Sequence, residues 1–157
     1  MYNRVVTESD DLLKLENQLC FALVTAARNV VAIYRPILEP LGLTHPQYLV
    51  MLALWERSPR SLGDLAADLA LEPATASPIV KRLETDGLVA RQRSAADERR
   101  LDIALTAAGR DLRARAVDVP RQVMASVGMG IGEIATLRDG LAPFAGGTAG
   151  GGTGAMH

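Results

Sequence analysis

The chain has 157 residues, of which 48% are hydrophobic and 22% charged, and its formal net charge is −1. These values are typical of a globular protein with one buried core and argue against a disordered chain, and a net charge near zero counts mildly against a DNA binder. With one cysteine and two histidines, the chain has no intrachain disulfide framework and no paired-cysteine site, and we predict neither a metal nor a cofactor.

The N-terminus, MYNRVVTESDD, is polar and acidic, so we predict no secretory signal and a cytoplasmic protein. Apolar residues then recur every three or four positions from Ser9 and Asp10 to about Arg35, which predicts one long first helix. Apolar runs within it, such as Leu19–Ala27, are shorter than the ~20 residues that cross a bilayer, so no membrane partner is expected.

A second helix follows Gly42. Thr44 and Gln47 have the spacing of a capping box, and the helix they begin is predicted to run through Arg57. It is apolar nearly all round, which predicts that it forms the centre of the domain.

Residues 61–105 have the pattern of a winged helix-turn-helix. Ser61 is a candidate cap for a first short helix, Pro73 suits the first turn of a second, and Gly87 suits the position after its end. Residues 88–93 and 101–105 read as two strands joined by a polar hairpin tip. The predicted fold class is mainly α with a small β-hairpin. Such a fold suits a helix in the major groove and a hairpin in the minor groove of DNA, although winged helices also serve as protein-docking modules.

Beyond the wing, Thr106 is predicted to cap a helix that bends at Pro120 and ends near Gly128, and a last helix is predicted from about Glu133 to Phe144. The first helix and the last two carry more apolar residues than a winged helix covers, which predicts a symmetric homodimer. We therefore divide the chain into a sensor and dimerisation helix (1–40), a DNA-binding region (41–105), C-terminal dimerisation helices (106–145) and a flexible Gly-rich tail (146–157).

Four patches together resemble the MarR superfamily of dimeric winged-helix regulators, and within it the OhrR-type repressors that sense organic hydroperoxides. The patches are LENQLCFAL (15–23), YRPILEPLGLTHPQYLVMLALWE (34–56), PIVKRLETDGLVAR (78–91) and DERR (97–100). The resemblance covers about residues 14–112, and its first two patches carry the subfamily.

The resemblance implies that Cys20 is the redox sensor and that Tyr34, with His45 where the family has a tyrosine, contacts its thiolate across the dimer. Val24 replaces a further tyrosine, and the lack of a second cysteine indicates the one-cysteine type. An ordinary thiol, with a pKa of ~8.5, is only slightly ionised at neutral pH. Because the predicted helix begins about two turns before Cys20, we expect hydrogen bonds rather than the helix dipole to stabilise the thiolate.

The resemblance also implies the DNA-contacting residues. On the recognition helix these are Thr75, Ser77, Lys81 and Arg82, and on the wing they are Arg91, Arg93, Asp97 and Arg99. Arg99 is expected to reach the minor groove, and Asp97 to orient the wing through a nearby arginine. Pro73 and Ala74 replace the Ser-Gly that is frequent in the family.

The sequence thus predicts a repressor that binds a near-palindromic double-stranded DNA operator as a homodimer and releases it when an organic hydroperoxide oxidises Cys20. The alternative in the same scaffold is a regulator released by an aromatic or lipophilic ligand, with Cys20 structural. A thiol peroxidase would also use one reactive cysteine, but the sequence offers no resolving cysteine or catalytic frame, so we predict no enzyme and no catalytic residues.

Overall fold

The computed structural model describes residues 8–145, and the predicted tail lies outside them. The described chain is mostly helical with one small sheet. Its helices are α1 Glu8–Leu12, α2 Leu19–Leu38, α3 His45–Glu56, α4 Leu62–Asp68, α5 Pro73–Thr85, α6 Ala107–Ala116, α7 Val119–Val127, α8 Ile131–Gly140 and α9 Ala142–Ala145. Its strands are β1 Arg60–Ser61, β2 Val89–Arg93 and β3 Leu101–Leu105. Short 3₁₀ turns precede and follow α2.

The winged helix-turn-helix is confirmed, and its local signals act as expected. The Ser61 hydroxyl accepts a hydrogen bond from the backbone N–H of Asp64, which caps α4. Pro73 begins α5, and Gly87 follows its end at φ 79°, a left-handed conformation that suits glycine. The sheet has the order β1-β3-β2 and is antiparallel throughout. Strand β1 was not predicted, because two residues carry no periodicity.

Helix α3 forms the centre of the molecule, as predicted. Its capping box is present: the Thr44 hydroxyl accepts from the Gln47 N–H, and the Gln47 side chain accepts from the Thr44 N–H. The largest fully buried side chains come from α2, α3, α4, α5, α7 and the sheet, and they are Leu38, Val50, Met51, Leu54, Leu65, Val80, Leu83, Val89, Ile103 and Val119. Burying one such side chain contributes about 1.5–3 kcal/mol to the free energy of folding. The shared core therefore holds α3 against α2, α4, α5 and the sheet.

The prediction of one continuous first helix is wrong. The chain forms α1, leaves the helical path after Leu12, and begins α2 only at Leu19. Two amide side chains stabilise this break: Asn17 donates to the carbonyl of Asp11 (2.6 Å), and Gln18 donates to the carbonyls of Leu12 and Lys14 (2.7 and 2.9 Å). The bond to Leu12 satisfies a carbonyl at the end of α1, and the other two bonds reinforce the turn that follows it. At its other end α2 includes Pro36 and continues to Leu38, past the predicted end at Arg35.

The C-terminal part also differs in detail from the prediction. At Pro120 the chain starts a new helix rather than bending one, because the proline occupies the first turn of α7, where its missing N–H is tolerated. Gly128, at φ 73°, ends α7 as expected. The last predicted helix begins earlier, at Ile131, and is divided into α8 and α9.

The surface of the helices at both ends of the described chain carries exposed apolar side chains. They are Leu12, Leu13, Leu15, Leu19, Phe21, Val24, Val30 and Val31 on the N-terminal side, and Val117, Ile131, Leu137, Leu141 and Phe144 on the C-terminal side. The stretch Leu19–Leu41 could cross a membrane by its length and composition alone. The expectation that every apolar run is shorter than a membrane span is therefore corrected. The same test is passed by helices of proteins that span no membrane.

Candidate nucleic-acid interface and sensor site

Helix α5 presents a polar face beside a buried one. Ala76, Val80 and Leu83 are buried against the core. On the opposite side Thr75, Lys81 and Arg82 are exposed, and Ser77 is half-buried. The helix is thus held by its apolar stripe, and its hydroxyl and basic groups are available to base edges and phosphates.

The wing tip is shaped by hydrogen bonds to its own backbone. The Asp97 carboxylate accepts from the backbone N–H of Arg99 (3.0 Å), and the Arg93 guanidinium donates to the carbonyl of Glu98 (3.1 Å). Ser94 N–H closes the hairpin on the carbonyl of Arg100 (2.9 Å). Asp97 therefore orders the tip through the backbone of Arg99, and the Arg99 side chain is exposed at the end of the hairpin.

Two predicted DNA-contacting arginines form ion pairs within the described chain. Arg91 on β2 forms an ion pair with Glu84 on α5 (2.9 Å), which links the wing to the recognition helix. Arg82 pairs more loosely with Asp86 (3.5 Å). Both pairs are partly exposed, so each contributes little stability and can exchange its acid for a phosphate.

Cys20 is exposed and occupies the first turn of α2. The expected distance of two turns between the helix start and the thiol is therefore wrong, because the break at residues 13–18 moves that start. The first backbone N–H groups of a helix lack partners within it. The side chain of Gln18, at the cap position, donates backwards to α1 and makes no cap hydrogen bond to α2. The free N–H groups at the start of α2 thus lie in the same helical turn as Cys20.

Tyr34 and His45, the predicted partners of the thiolate, lie together. Their ring centroids are 4.8 Å apart with the planes at 60°, and Tyr48 adds a third ring at 5.9 Å from Tyr34. Burial lowers the pKa of His45 from its ordinary value, so its imidazole is neutral at neutral pH. Burial raises the pKa of Tyr34, and burial followed by the charge of Tyr34 raises that of Tyr48, so both keep a hydroxyl proton to donate. Tyr48 was not predicted as a member of this cluster, although it lies about one turn from His45 on α3.

Within one chain, these rings do not meet Cys20. Tyr34 follows Cys20 on the same helix, α2, and the rise of 1.5 Å per residue separates their backbones by about 21 Å. Contact between the thiol and this cluster therefore requires the cluster of a second subunit.

A cavity of about 840 Å³ lies between α2, α3 and the recognition helix. His45 lines it, with Arg35 from α2 and Arg82 and Asp86 from the end of α5. Among residues 8–145, no group of three acids, histidines or cysteines is placed to hold a metal ion.

Comparison with known proteins places this geometry among transcriptional regulators. Residues 43–101 match the sequence profile of the MarR family. The organic hydroperoxide resistance transcriptional regulator of Bacillus subtilis is 42% identical over 114 residues, which cover 73% of this chain and 78% of that protein.

Two solved structures extend the comparison. Overoxidized AbfR bound to DNA superposes with a TM-score of 0.69 at 32% identity, covering 87% of this chain and 96% of that one. Bordetella bronchiseptica BpsR, whose DNA binding is regulated by 6-hydroxynicotinic acid, superposes with a TM-score of 0.76 at 26% identity, covering 86% and 98%.

Proposed function

Because this chain belongs to the MarR family of DNA-binding transcriptional regulators, we propose that it is a repressor that senses organic hydroperoxides through Cys20 and releases its operator when that thiol is oxidised. The observation that carries the proposal is the exposed position of Cys20 in the first turn of α2. The likeness to the B. subtilis hydroperoxide resistance regulator supports it. Such a regulator acts in the cytoplasm.

The chemistry needs one thiolate and one peroxide. The Cys20 thiolate attacks the terminal oxygen of R–O–O–H, an S–O bond forms as the O–O bond breaks, and the products are a sulfenic acid and the alkoxide R–O⁻. The alkoxide takes up the proton that the thiol released on ionisation and becomes the alcohol R–OH. The sulfur is oxidised and the peroxide is reduced, and no cofactor is required. A helix N-terminus on one side and neutral hydrogen-bond donors on the other would hold the thiolate before the reaction.

The operator-binding unit in this proposal is a homodimer. The exposed apolar residues of α1 and α2 face a second copy, and that copy supplies Tyr34 and His45 to Cys20. Two recognition helices and two wings then match the halves of a near-palindromic operator. Oxidation at this interface needs to supply only a modest coupling, since a 100-fold loss of affinity is about 2.7 kcal/mol.

Operator binding before and after peroxide treatment tests this function. We expect cumene hydroperoxide to release the reduced wild-type protein from an operator fragment, and Cys20→Ser to stay bound, with release followed by fluorescence anisotropy. Hydrogen peroxide at equal concentration serves as the comparison oxidant. Equal release of both proteins by cumene hydroperoxide would contradict the sensor role of Cys20.

A second function is favoured by the cavity of about 840 Å³ beside α5. Its arginines would pair with an acid group of a small aromatic ligand, and occupation would shift the recognition helix, with Cys20 structural. BpsR, a structural relative, is regulated by 6-hydroxynicotinic acid. In that case an aromatic acid would release Cys20→Ser and wild type from the operator equally.

A further inference from the structure

The guanidinium of Arg60 joins three elements beneath the surface of the winged helix. Arg60 lies on β1 and is only 4% exposed. It donates to the carbonyl of Ala53 in the last turn of α3 (3.3 Å) and to the carbonyl of Asp64 in α4 (3.5 Å). It also forms an ion pair with the carboxylate of Asp68 at the end of α4. No function described above uses this cluster.

The cluster is unusual because it removes a charge from water. The Arg60 Nε is buried and has no hydrogen-bond partner among residues 8–145, and Asp68, whose side chain is 59% exposed, supplies the countercharge. A well-packed apolar residue often gives a fold as much stability as a buried ion pair does. What the pair adds is a defined geometry, since the planar guanidinium donates to its partners only in a fixed arrangement.

The arrangement connects the wing to the helix-turn-helix. In the sheet Arg60 lies opposite Ile103 of β3, and β3 pairs with β2, so the two strands that carry the wing tip are anchored on β1. The partners of the guanidinium belong to α3 and α4, and α4 packs against the recognition helix. The spacing between the wing tip and the recognition helix is therefore set in part at Arg60.

We propose that Arg60 and Asp68 are positioning residues, which hold the wing at the distance from α5 at which both reach DNA. Neither residue contacts DNA. The inference rests on the proposed contact of Arg99 with the operator, and it concerns a different part of the molecule from the thiol switch.

A double-mutant cycle on operator affinity tests the proposal. If Asp68 acts only through the wing, Asp68→Asn and Arg99→Ala remove the same contact, and their effects do not add. We expect about a tenfold loss of affinity for each, and a double variant within about twofold of Arg99→Ala. Both single variants should also flatten the salt dependence of binding. Asp68→Glu, which retains the charge, should restore most of the affinity.

Asp111→Asn, which removes an exposed carboxylate from α6, is the matched control and should leave affinity unchanged. Circular dichroism checks that each variant is folded. If Asp68→Asn fails to fold, the same cycle is measured with Arg60→Met, which leaves no charge buried.

The outcomes separate the two proposals. Losses that multiply to about 100-fold would overturn the positioning role and leave the wing contact in place. The positioning role would also be overturned if Asp68→Asn bound DNA as tightly as wild type. The same holds if it bound more tightly because an acid near DNA had been removed. An Arg99→Ala variant with unchanged affinity would contradict the proposed wing contact and the positioning role together.

Discussion

His45 belongs to the aromatic cluster that it forms with Tyr34 and Tyr48. It packs on the Tyr34 ring at 4.8 Å and is half-buried, and this burial lowers its pKa. Its neutral imidazole can donate one hydrogen bond, as a tyrosine hydroxyl can. His45 is therefore a neutral donor at neutral pH that becomes charged at lower pH.

The lowered pKa of His45 predicts a pH dependence of stability. Above the unfolded pKa of about 6.5 both states are neutral, and the full stability is present. As the pH falls from there through the lower folded pKa, the unfolded chain binds the proton first, so stability is lost. We expect the melting temperature of wild type to fall more between pH 7.5 and 5.5 than that of His45→Gln.

The reducing agent and ionic strength are held constant in that comparison, and His157 is common to both proteins. Parallel falls in melting temperature would show that protonation of His45 does not oppose folding.

At the scale of elements, α6 is fixed against the wing by a glycine. The Thr106 hydroxyl accepts from Gly109 N–H (3.1 Å) and donates to the Gly87 carbonyl (2.7 Å), while the Trp55 indole donates to the Gly109 carbonyl (2.8 Å). A Cβ at position 109 would lie 2.1 Å from the carbonyl oxygen of Leu88. Helix α6 can approach the start of β2 this closely only because residue 109 has no side chain.

Gly109→Ala is therefore expected to destabilise the protein by about 2 kcal/mol or more, because backbone atoms on both sides must move. Gly132→Ala is the control, since its Cβ meets nothing within 4 Å in α8. That substitution should be neutral or stabilising by up to about 1 kcal/mol. Urea unfolding of both variants measures the difference, and equal free energies of unfolding would argue against the close approach.

At the scale of the whole molecule, the described chain keeps Cys20 apart from its proposed partners. Cys20 and the Tyr34–His45 cluster lie at opposite parts of α2, and apolar side chains are uncovered along α1, α2 and α8. The proposed homodimer would account for both features, since a second copy could cover the apolar surface and bring its own cluster to Cys20.

Charged substitutions of equally exposed leucines test the dimer. Leu19 on α2 and Leu137 on α8 are 57% and 56% exposed, and Leu101 on the wing strand β3 is 53% exposed. Leu19→Glu and Leu137→Glu should produce monomers and abolish operator binding, because each buries a carboxylate in the interface. Leu101→Glu should remain dimeric. Analytical ultracentrifugation distinguishes the states, and three dimeric variants would place the interface elsewhere.

Much of this architecture was determined by the sequence alone, because its signals act within a few residues. The start of α3 is determined by the capping box of Thr44 and Gln47, and the start of α4 by the cap at Ser61. The bounds of α5 are determined by Pro73, which needs no N–H partner in a first turn, and by Gly87, which follows its end. These signals act on nearby backbone groups and need no contact with the rest of the chain. The amphipathic pattern of α5 likewise predicts which of its residues are exposed.

Only the tertiary structure decided where the candidate site residues lie relative to one another. The break before Leu19, which brings Cys20 into a first helical turn, depends on side-chain amides reaching back to carbonyls that periodicity does not reveal. Strand β1 exists only through its pairing with β3, far along the chain. The grouping of Tyr34 with His45 and Tyr48 likewise depends on the packing of α2 against α3. Local patterns determine elements because backbone hydrogen bonding is local, whereas a site is determined by the long-range packing that brings those elements together.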